Sequence, residues 1–306
     1  MTVLELIHAG ASTLESADVS FGHGTTNALD EAAWLVLWKL GLPLDSDLES
    51  PVSAGRSVVT PRQQAEVEAL LHARIVTRLP AAYLTREAWL QGVSFYADER
   101  AIIPRSLIAE LLLGDGLDYW LPAPLSRVLD LCTGGGSLAV LAAIVWPDVS
   151  VDAADISPQA LEVAAINLDR HALGKRVRLV QGDGLAAADG LYGVILCNPP
   201  YVNAASMGAL PPEYRAEPAL ALAGGPDGMN FVRQLVRGVL AHMEQHAILV
   251  LEVGNERHHF EAAFPGLEAI WLDTSAGDDQ VCVLNRAALA NYLDSNAGRR
   301  LQFPTP

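Results

Sequence analysis

Apolar residues recur at helical spacing through the first eighty residues and then change period. Val3, Leu4, Ile7, Ala11 and Leu14 fall on one side of a helix over residues 3–14. A second helix is predicted from about Asn27 to Leu40, stopped by Gly41 with Pro43 just beyond. The third has the clearest start, because Thr60-Pro61-Arg62-Gln63 reads as a capping box with proline at the first helical position. Its Val67, Leu70, Leu71, Ile75 and Leu79 form one core-packing stripe, and Pro80 ends it. Residues 41–60, rich in Pro, Ser, Gly and Asp, are expected to form a loop.

Beyond Pro80, Ala88-Trp89-Leu90 and Val93-Ser94-Phe95-Tyr96 flank Gln91-Gly92, the pattern of a hairpin. A helix is predicted from near Ser106, and Pro122 and Pro124 mark a boundary. From Arg127 onward short apolar strands, at 128–131, 151–154, 177–180, 194–197 and 248–253, alternate with helical stretches at 136–146, 158–171 and 228–245. Such alternation predicts an α/β domain, a mostly parallel sheet with helices on both faces. The runs 267–272 and 280–284, separated by Ala276-Gly277-Asp278-Asp279, read as a hairpin on the sheet edge; the tail after Ala297 is expected to fray. Three units follow: a helical unit over 1–80, a hairpin and linker helix over 81–126, and the α/β domain over 127–306.

Composition narrows the classes. The 306 residues are 51% hydrophobic and 6% aromatic, enough for a core and unlike a disordered chain. The longest uninterrupted apolar stretch, 138–146, is far short of the ~20 residues that span a bilayer. Met1 is followed by no basic region or cleavage signature, so a cytoplasmic location is expected. Cys132, Cys197 and Cys282, isolated in sequence and without a CxxC spacing, fit a reduced interior better than disulfides or a zinc site. A net charge of −16, spread along the chain, repels a phosphate backbone and attracts basic partners. Direct DNA binding is therefore not expected.

The informative polar residues gather where the strands end. After the run 194–197 comes Asn198-Pro199-Pro200-Tyr201. Each prolyl ring fixes its own φ and pushes the residue before it into an extended conformation. The loop therefore holds an amide and a flat aromatic at a set separation, which suits a grip on a planar amide or aminated base. The first strand ends in Asp130-Leu131-Cys132-Thr133-Gly134-Gly135-Gly136, whose glycines permit a tight turn and close ligand approach. The second ends in Asp155, placed to accept ribose hydroxyls, and the third in Gln181-Gly182-Asp183-Gly184. One pocket can draw on all four strand ends.

Two cofactors compete for it. Gly134-x-Gly136-x-x-Ala139 with Asp155 fits a dinucleotide fingerprint. Asp130, at the head of the loop, would repel a pyrophosphate but favour the ammonium and sulfonium charges of S-adenosylmethionine. Dinucleotide binding also leaves residues 198–201 without a role.

Asp130-Leu-Cys-Thr-Gly-Gly-Gly136, Asp155 and Asn198-Pro-Pro-Tyr201 together resemble the Rossmann-like class I S-adenosylmethionine-dependent methyltransferases, and among them the HemK-like protein glutamine methyltransferases that modify translation proteins. The resemblance covers residues 20 to 285. Phe21-Gly22-His23-Gly24-Thr25, Ala82-Tyr83-Leu84-Thr85, Phe95-Tyr96-Ala97-Asp98-Glu99-Arg100, Pro104-Arg105-Ser106 and Glu213-Tyr214-Arg215-Ala216-Glu217-Pro218 look like the branch acting on large-subunit ribosomal protein three. The release-factor branch usually carries Pro-Arg-Pro-Glu-Thr where this chain has Pro-Arg-Ser-Leu-Ile, and relatives often have Gly-Ser-Gly where Gly134-Gly135-Gly136 stands.

The resemblance implies that Asp130, Thr133, Gly134, Gly135, Gly136, Asp155, Ile156, Asp183, Gly184 and Asn198 hold S-adenosylmethionine, leaving S-adenosylhomocysteine as product. Asp155 would take the ribose, Asp183 the adenine amino group, and residues 133–136 the methionine part. Asn198, Pro199, Pro200 and Tyr201 would grip the target glutamine. The Asn198 oxygen and Pro199 carbonyl accept the two amide N–H bonds, and Tyr201 packs on the amide plane. An amide nitrogen is a poor nucleophile because its lone pair is delocalised, as the ~18–20 kcal/mol backbone rotation barrier records. Positioning therefore carries the acceleration. No metal site is expected: His242 and His246 share an i,i+4 spacing without an accompanying glutamate pattern, and His258-His259 carries no motif. Arg170, Lys175, Arg176 and Arg178 read as a solvated turn. A release-factor substrate, DNA adenine methylation and a non-catalytic assembly factor are the alternatives.

Overall fold

The amino-terminal stripes pack as three helices, α1 (Val3–Ser16), α2 (Ala28–Leu40) and α3 (Pro61–Thr77). The structure is a computed structural model and describes residues 1–50 and 52–302, with the backbone alone for 296–302. Capping boxes open α1 (Thr2 with Glu5) and α3 (Thr60 with Gln63), so the first backbone donors of each find acceptors. Asn27 caps α2, and Gly41 closes it at φ 67°, a left-handed position glycine takes without strain. Helix α3 stops at Thr77 rather than at Leu79, with Arg78 at φ 58°. Pro80 disfavours helical backbone at the residue before it. Loop 41–60 holds one short 3-10 turn, and Leu42, Leu44 and Leu48 tuck against the helical core.

After α4 (Ala81–Thr85), strands β1 (Ala88–Leu90) and β2 (Val93–Phe95) pair antiparallel across Gln91 and Gly92. Both turn residues have positive φ (50° and 74°), which matches the twist of a two-residue hairpin. Helix α5 spans Ile108–Leu113, starting two residues after Ser106. The helical core continues past residue 80 through Tyr83, Ala88, Ala97 and Ile103, so the helices and this segment share one apolar interior.

The α/β part contributes β3 (Arg127–Leu131), β4 (Ser150–Asp155), β5 (Val177–Gln181), β6 (Tyr192–Cys197), β7 (Val202–Asn203), β8 (Ala223–Gly225), β9 (Met243–Glu252), β10 (Ile270–Thr274) and β11 (Gly277–Asn285). Seven of these form one sheet in the order β10-β11-β9-β6-β3-β4-β5, with β7 and β8 paired separately. Strands β9, β6, β3, β4 and β5 run parallel, and β11 is antiparallel to both its neighbours. Alternate residues of β3 feed opposite faces, with Val128 in one apolar layer and Leu129 and Leu131 in the other. Helices α6 (Ser137–Val145) and α7 (Pro158–Arg170) follow β3 and β4. No helix among the described residues is long and apolar enough to cross a membrane.

Several expectations change. The predicted helix 228–245 ends at Gly238, and after a 3-10 turn the strand β9 starts at Met243, which is buried opposite Tyr192. His242 and His246 therefore do not share a helix. Cys132 and Cys197 are not isolated in space: Leu131 pairs with Cys197, and burial with a thiol–thiol contact raises the Cys132 pKa. The basic cluster is partly engaged rather than merely solvated, since Arg178 bonds Asp152 and Asp189 while Arg176 donates to the Trp146 carbonyl. The edge hairpin forms, but its turn lies at Ser275 and Ala276 and β11 already starts at Gly277. Backbone helix runs from Arg286 to Gln302 through the segment expected to fray, and 303–306 lie outside the described residues.

One buried cation ties the layers together. Arg74 has no solvent exposure; it donates to Glu31 on α2 (2.7 Å), to the Ser20 carbonyl (2.8 Å) and to Glu213 (3.4 Å), which lies in the segment after residue 201. Removing the guanidinium would strand the buried Glu31 and leave Glu213 to Arg78 alone (3.1 Å), a loss of ~3–5 kcal/mol. Arg74→Ala is expected to lower stability by that much in urea unfolding, whereas Arg62→Ala, at an exposed pair with Glu66, should change it by less than ~1 kcal/mol.

Candidate active site

Strand β3 has β4 on one side and β6 on the other, so the connections after β3 and β6 leave in different directions and open a cleft at their carboxyl ends. The cavity there is lined by Asp130, Thr133, Gly134, Asp155, Ile156, Asp183, Gly184, Asn198 and Pro200 among others. Four strand ends that are far apart in sequence thus meet in one pocket.

Asp130 sits at its floor, 1% exposed. Its Oδ2 accepts from the Thr133 hydroxyl (2.5 Å) and the Ala139 N–H (2.9 Å), while its Oδ1 has no partner among the described residues. Burial pushes its pKa up to about 7, against the two hydrogen bonds that favour the charged form. A half-paired buried carboxylate is costly unless something cationic meets it. Asp155 ends β4 and accepts from the Gly134 N–H and the Ser157 N–H, each at 2.8 Å; burial raises its pKa. Ile156 is 45% exposed although strongly apolar, and Leu220 is 58% exposed. With Phe231 they give the cavity an apolar wall. Asp183 and Gly184 stand at the rim below β5.

The glycine loop divides its work. Gly134 lines the cavity, whereas Gly135 and Gly136 do not. A Cβ on Gly136 (φ 81°) would come within 3.0 Å of Ala164, and one on Gly135 within 3.3 Å of Val163. These two glycines let α7 approach the loop. The fully buried Asn167 of α7 fastens that contact by donating to the Gly135 carbonyl and bonding the Tyr96 backbone. An asparagine inside a helix stripe of apolar residues was the available signal for it.

The Asn198 segment also divides. Asn198 and Pro200 line the cavity, and the Asn198 side-chain amide has no hydrogen bond among the described residues. Pro199 and Tyr201 lie outside the lining. The Tyr201 side chain is tied to the end of β9 and the turn after it. Its hydroxyl donates to Glu252 (3.1 Å), and its ring lies so close to Gly254 that a Cβ there would sit 2.5 Å from it. Glu252 ends β9 and also accepts from Ser106 (2.6 Å) and the Leu107 N–H (2.9 Å), with a pKa raised by burial. Sequence reasoning passed over Glu252, although the rule that singled out Asp155, an acid at a strand's carboxyl end, applies to it equally.

A further strap crosses the cleft. Glu217 takes both Arg105 nitrogens (2.5 and 2.7 Å) and the Ile103 N–H (2.9 Å), and His23 Nε2 lies 3.4 Å away. Burial opposes its charge, yet Arg105 and His23 hold Glu217 down at about 2. Arg105 and Pro218 both line the cavity, so this pair joins its two rims.

The packing of Tyr201 on Gly254 should matter more than its hydroxyl. Tyr201→Phe is expected to cost ~1 kcal/mol in denaturant unfolding, the worth of one hydrogen bond. Gly254→Ala, which puts a methyl into the ring at φ 52°, should cost ~1–3 kcal/mol or more in the same assay.

The methyltransferase small domain family matches residues 116–209. The ribosomal protein uL3 glutamine methyltransferase of Bordetella pertussis is 51% identical over 293 residues, covering 94% of this chain and 96% of that protein. The protein of that name from Neisseria gonorrhoeae is 43% identical over 94% of this chain and 95% of its own length. Among solved structures, the hMettl16 catalytic domain in complex with the MAT2A 3′UTR hairpin 1 superposes with a TM-score of 0.51 at 13% identity, covering 83% of this chain and 89% of that one, a likeness of fold alone. With half its residues shared along nearly the whole length of a relative, the chain belongs to the family of ribosomal protein uL3 glutamine methyltransferases.

Proposed function

We propose that this protein transfers a methyl group from S-adenosylmethionine to the side-chain amide nitrogen of a glutamine in large-subunit ribosomal protein uL3. One observation carries the reading: Asp130 Oδ1, buried without a partner among the described residues, and Asn198 belong to a single cavity where the connections after β3 and β6 part.

The residues present fit the cofactor. Asp130 offers a buried carboxylate oxygen to an ammonium group, Asp155 offers acceptors to ribose hydroxyls, and the apolar Ile156, Leu220 and Phe231 suit the faces of a purine, with Asp183 and Gly184 at its edge. Bound there, S-adenosylmethionine supplies an electrophilic methyl group on a positively charged sulfur.

The chain's own task is to present the amide. Asn198, as a free acceptor at the end of β6, takes an N–H of the glutamine and limits its rotation; the Pro199 carbonyl is assigned the second. Accepting a hydrogen bond from each N–H raises electron density on the nitrogen before attack. As the C–N bond forms and the methyl–sulfur bond breaks, the nitrogen becomes cationic and then loses one of those protons to solvent, so no strong base is required. Tyr201 acts as a positioning residue: with Glu252 and Gly254 it fixes the segment that carries Asn198. Orientation of this kind is sensitive, since a misplacement of ~1 Å costs ~10²-fold.

Labelled S-adenosylmethionine should transfer its methyl group to ribosomal protein uL3 and not to a release factor offered in parallel. Label on the release factor alone would reassign the substrate and keep the chemistry. Asn198→Ala is expected to lower turnover by ~10²-fold with S-adenosylhomocysteine still bound. Near-normal turnover in that variant would remove Asn198 from the reaction.

The sign of a pH effect follows from Asp130. Its pKa, raised to about 7 from 3.8, means that the folded protein keeps a proton which the unfolded chain has already lost. Unliganded stability should therefore fall as pH rises from about 4 to 7. Affinity for S-adenosylhomocysteine, whose ammonium needs the ionised carboxylate, should move oppositely and weaken as pH drops below 7. Calorimetric titration of wild type and Asp130→Asn should show that dependence in the first and its loss in the second.

A further inference from the structure

A second recess, a groove of about 750 Å³, lies between α2, the start of loop 41–60 and the β1–β2 hairpin. Three of the chain's six tryptophans wall it: Trp34 and Trp38 from α2, and Trp89 from β1. Asp45 and Glu87 supply carboxylates, and none of the described side chains lining it is a lysine or arginine. Aromatic faces with acids and no competing cation make a place for a guanidinium or an ammonium on an apolar stem.

Two details separate this groove from ordinary core packing. Trp89 is 43% exposed, so its ring faces the recess instead of being covered by its neighbours. Trp34 is only 8% exposed, and its indole N–H has no acceptor among the described residues. A buried donor without a partner is costly. Trp89 donates to one oxygen of Glu87 (2.6 Å), which fixes that carboxylate in the wall.

The groove is also tied to the active site. Gly24 and Thr25 form part of its wall. A Cβ on Gly24, at φ 108°, would lie 3.5 Å from the Trp34 ring, so this loop lies directly on the indole. The adjacent His23 contacts Glu217, the residue before cavity-lining Pro218. One short loop therefore lines the groove and, through His23, packs on the residue next to the cavity wall.

We propose that this groove binds an arginine- or lysine-bearing segment of the protein substrate, with the cation between the tryptophans and Asp45 with Glu87. The proposal rests on the reading of a basic ribosomal protein as substrate, and the −16 charge of the chain complements it.

The test uses the full-length enzyme, with ribosomal protein uL3 as probe, in methyl-transfer kinetics and in calorimetric binding without cofactor. Asp45→Asn combined with Glu87→Gln keeps the shape of the groove and removes its charge; Trp38→Ala removes a wall. Both are expected to raise KM for the protein about tenfold, an effect carried by KM and not by kcat, with S-adenosylhomocysteine affinity unaltered. The wild-type KM should also rise with salt more steeply than that of the charge-free variant. An unchanged KM in variants that still bind S-adenosylhomocysteine would overturn the groove and leave the proposed reaction standing. Wild type that binds the ribosomal protein but transfers no methyl would overturn the reaction, and the groove would then stand or fall on loss of binding in the same variants. Wild type that does neither would overturn both.

Discussion

The divergence of the connections that leave β3 and β6 is the constraint on which the rest of the molecule depends. A parallel strand needs a crossover to reach its neighbour, and here successive crossovers leave on opposite sides of β3. Backbone cannot fill the wedge between them, so the carboxyl ends of four strands look into a cavity. Residues at or next to a strand's last position, Asp130, Asp155, Asn198 and, behind them, Glu252, are brought together by that geometry and by little else. Their neighbours along each strand, such as Leu129 and Ile195, are wholly buried and hold the frame rigid.

Around this frame the chain uses buried charge as a fastener. Arg74, Arg78, Glu31 and Glu213 form one set, and Arg105, Glu217 and His23 another. Both sets join the helical unit or its extension to residues 211–222, the stretch that follows the Asn198 segment. Burying ions is expensive, and apolar residues of similar size would often serve stability as well. What the charges add is direction: a guanidinium fork meets a carboxylate in one orientation only. The helical unit is therefore held in a set relation to the wall of the cavity, as the proposed docking of a protein substrate on the groove requires.

The two recesses differ in what they offer. The cavity at the strand ends is narrow, with one half-paired carboxylate and apolar walls, and suits a compact cationic cofactor beside a planar amide. The groove on the helical unit is broader, aromatic and acidic, and suits an extended basic chain. The loop 21–25 lines the groove and touches Glu217 beside the cavity wall, and glycine at 24 keeps it close to Trp34. The net charge of −16 would serve the proposed docking at longer range, by drawing a basic protein in before contacts form.

Much of this could be read from residue order because the physics is local. Capping boxes, the Gln91-Gly92 turn and the alternation of apolar strands with helices depend on near neighbours, and the strand-end acids and Asn198-Pro-Pro-Tyr201 follow from that alternation. The chain's family could likewise be reached from those motifs. Only the tertiary structure decided which residues of a motif face the cavity. Gly135 and Gly136 serve a close helix approach, and Tyr201 is tied to Glu252 across 51 positions of sequence, because packing partners arrive from distant strands. The early start of β9, the meeting of Cys132 with Cys197 and the pairing of Arg74 with Glu213 are long-range events of the same kind, set by sheet order rather than by any local pattern.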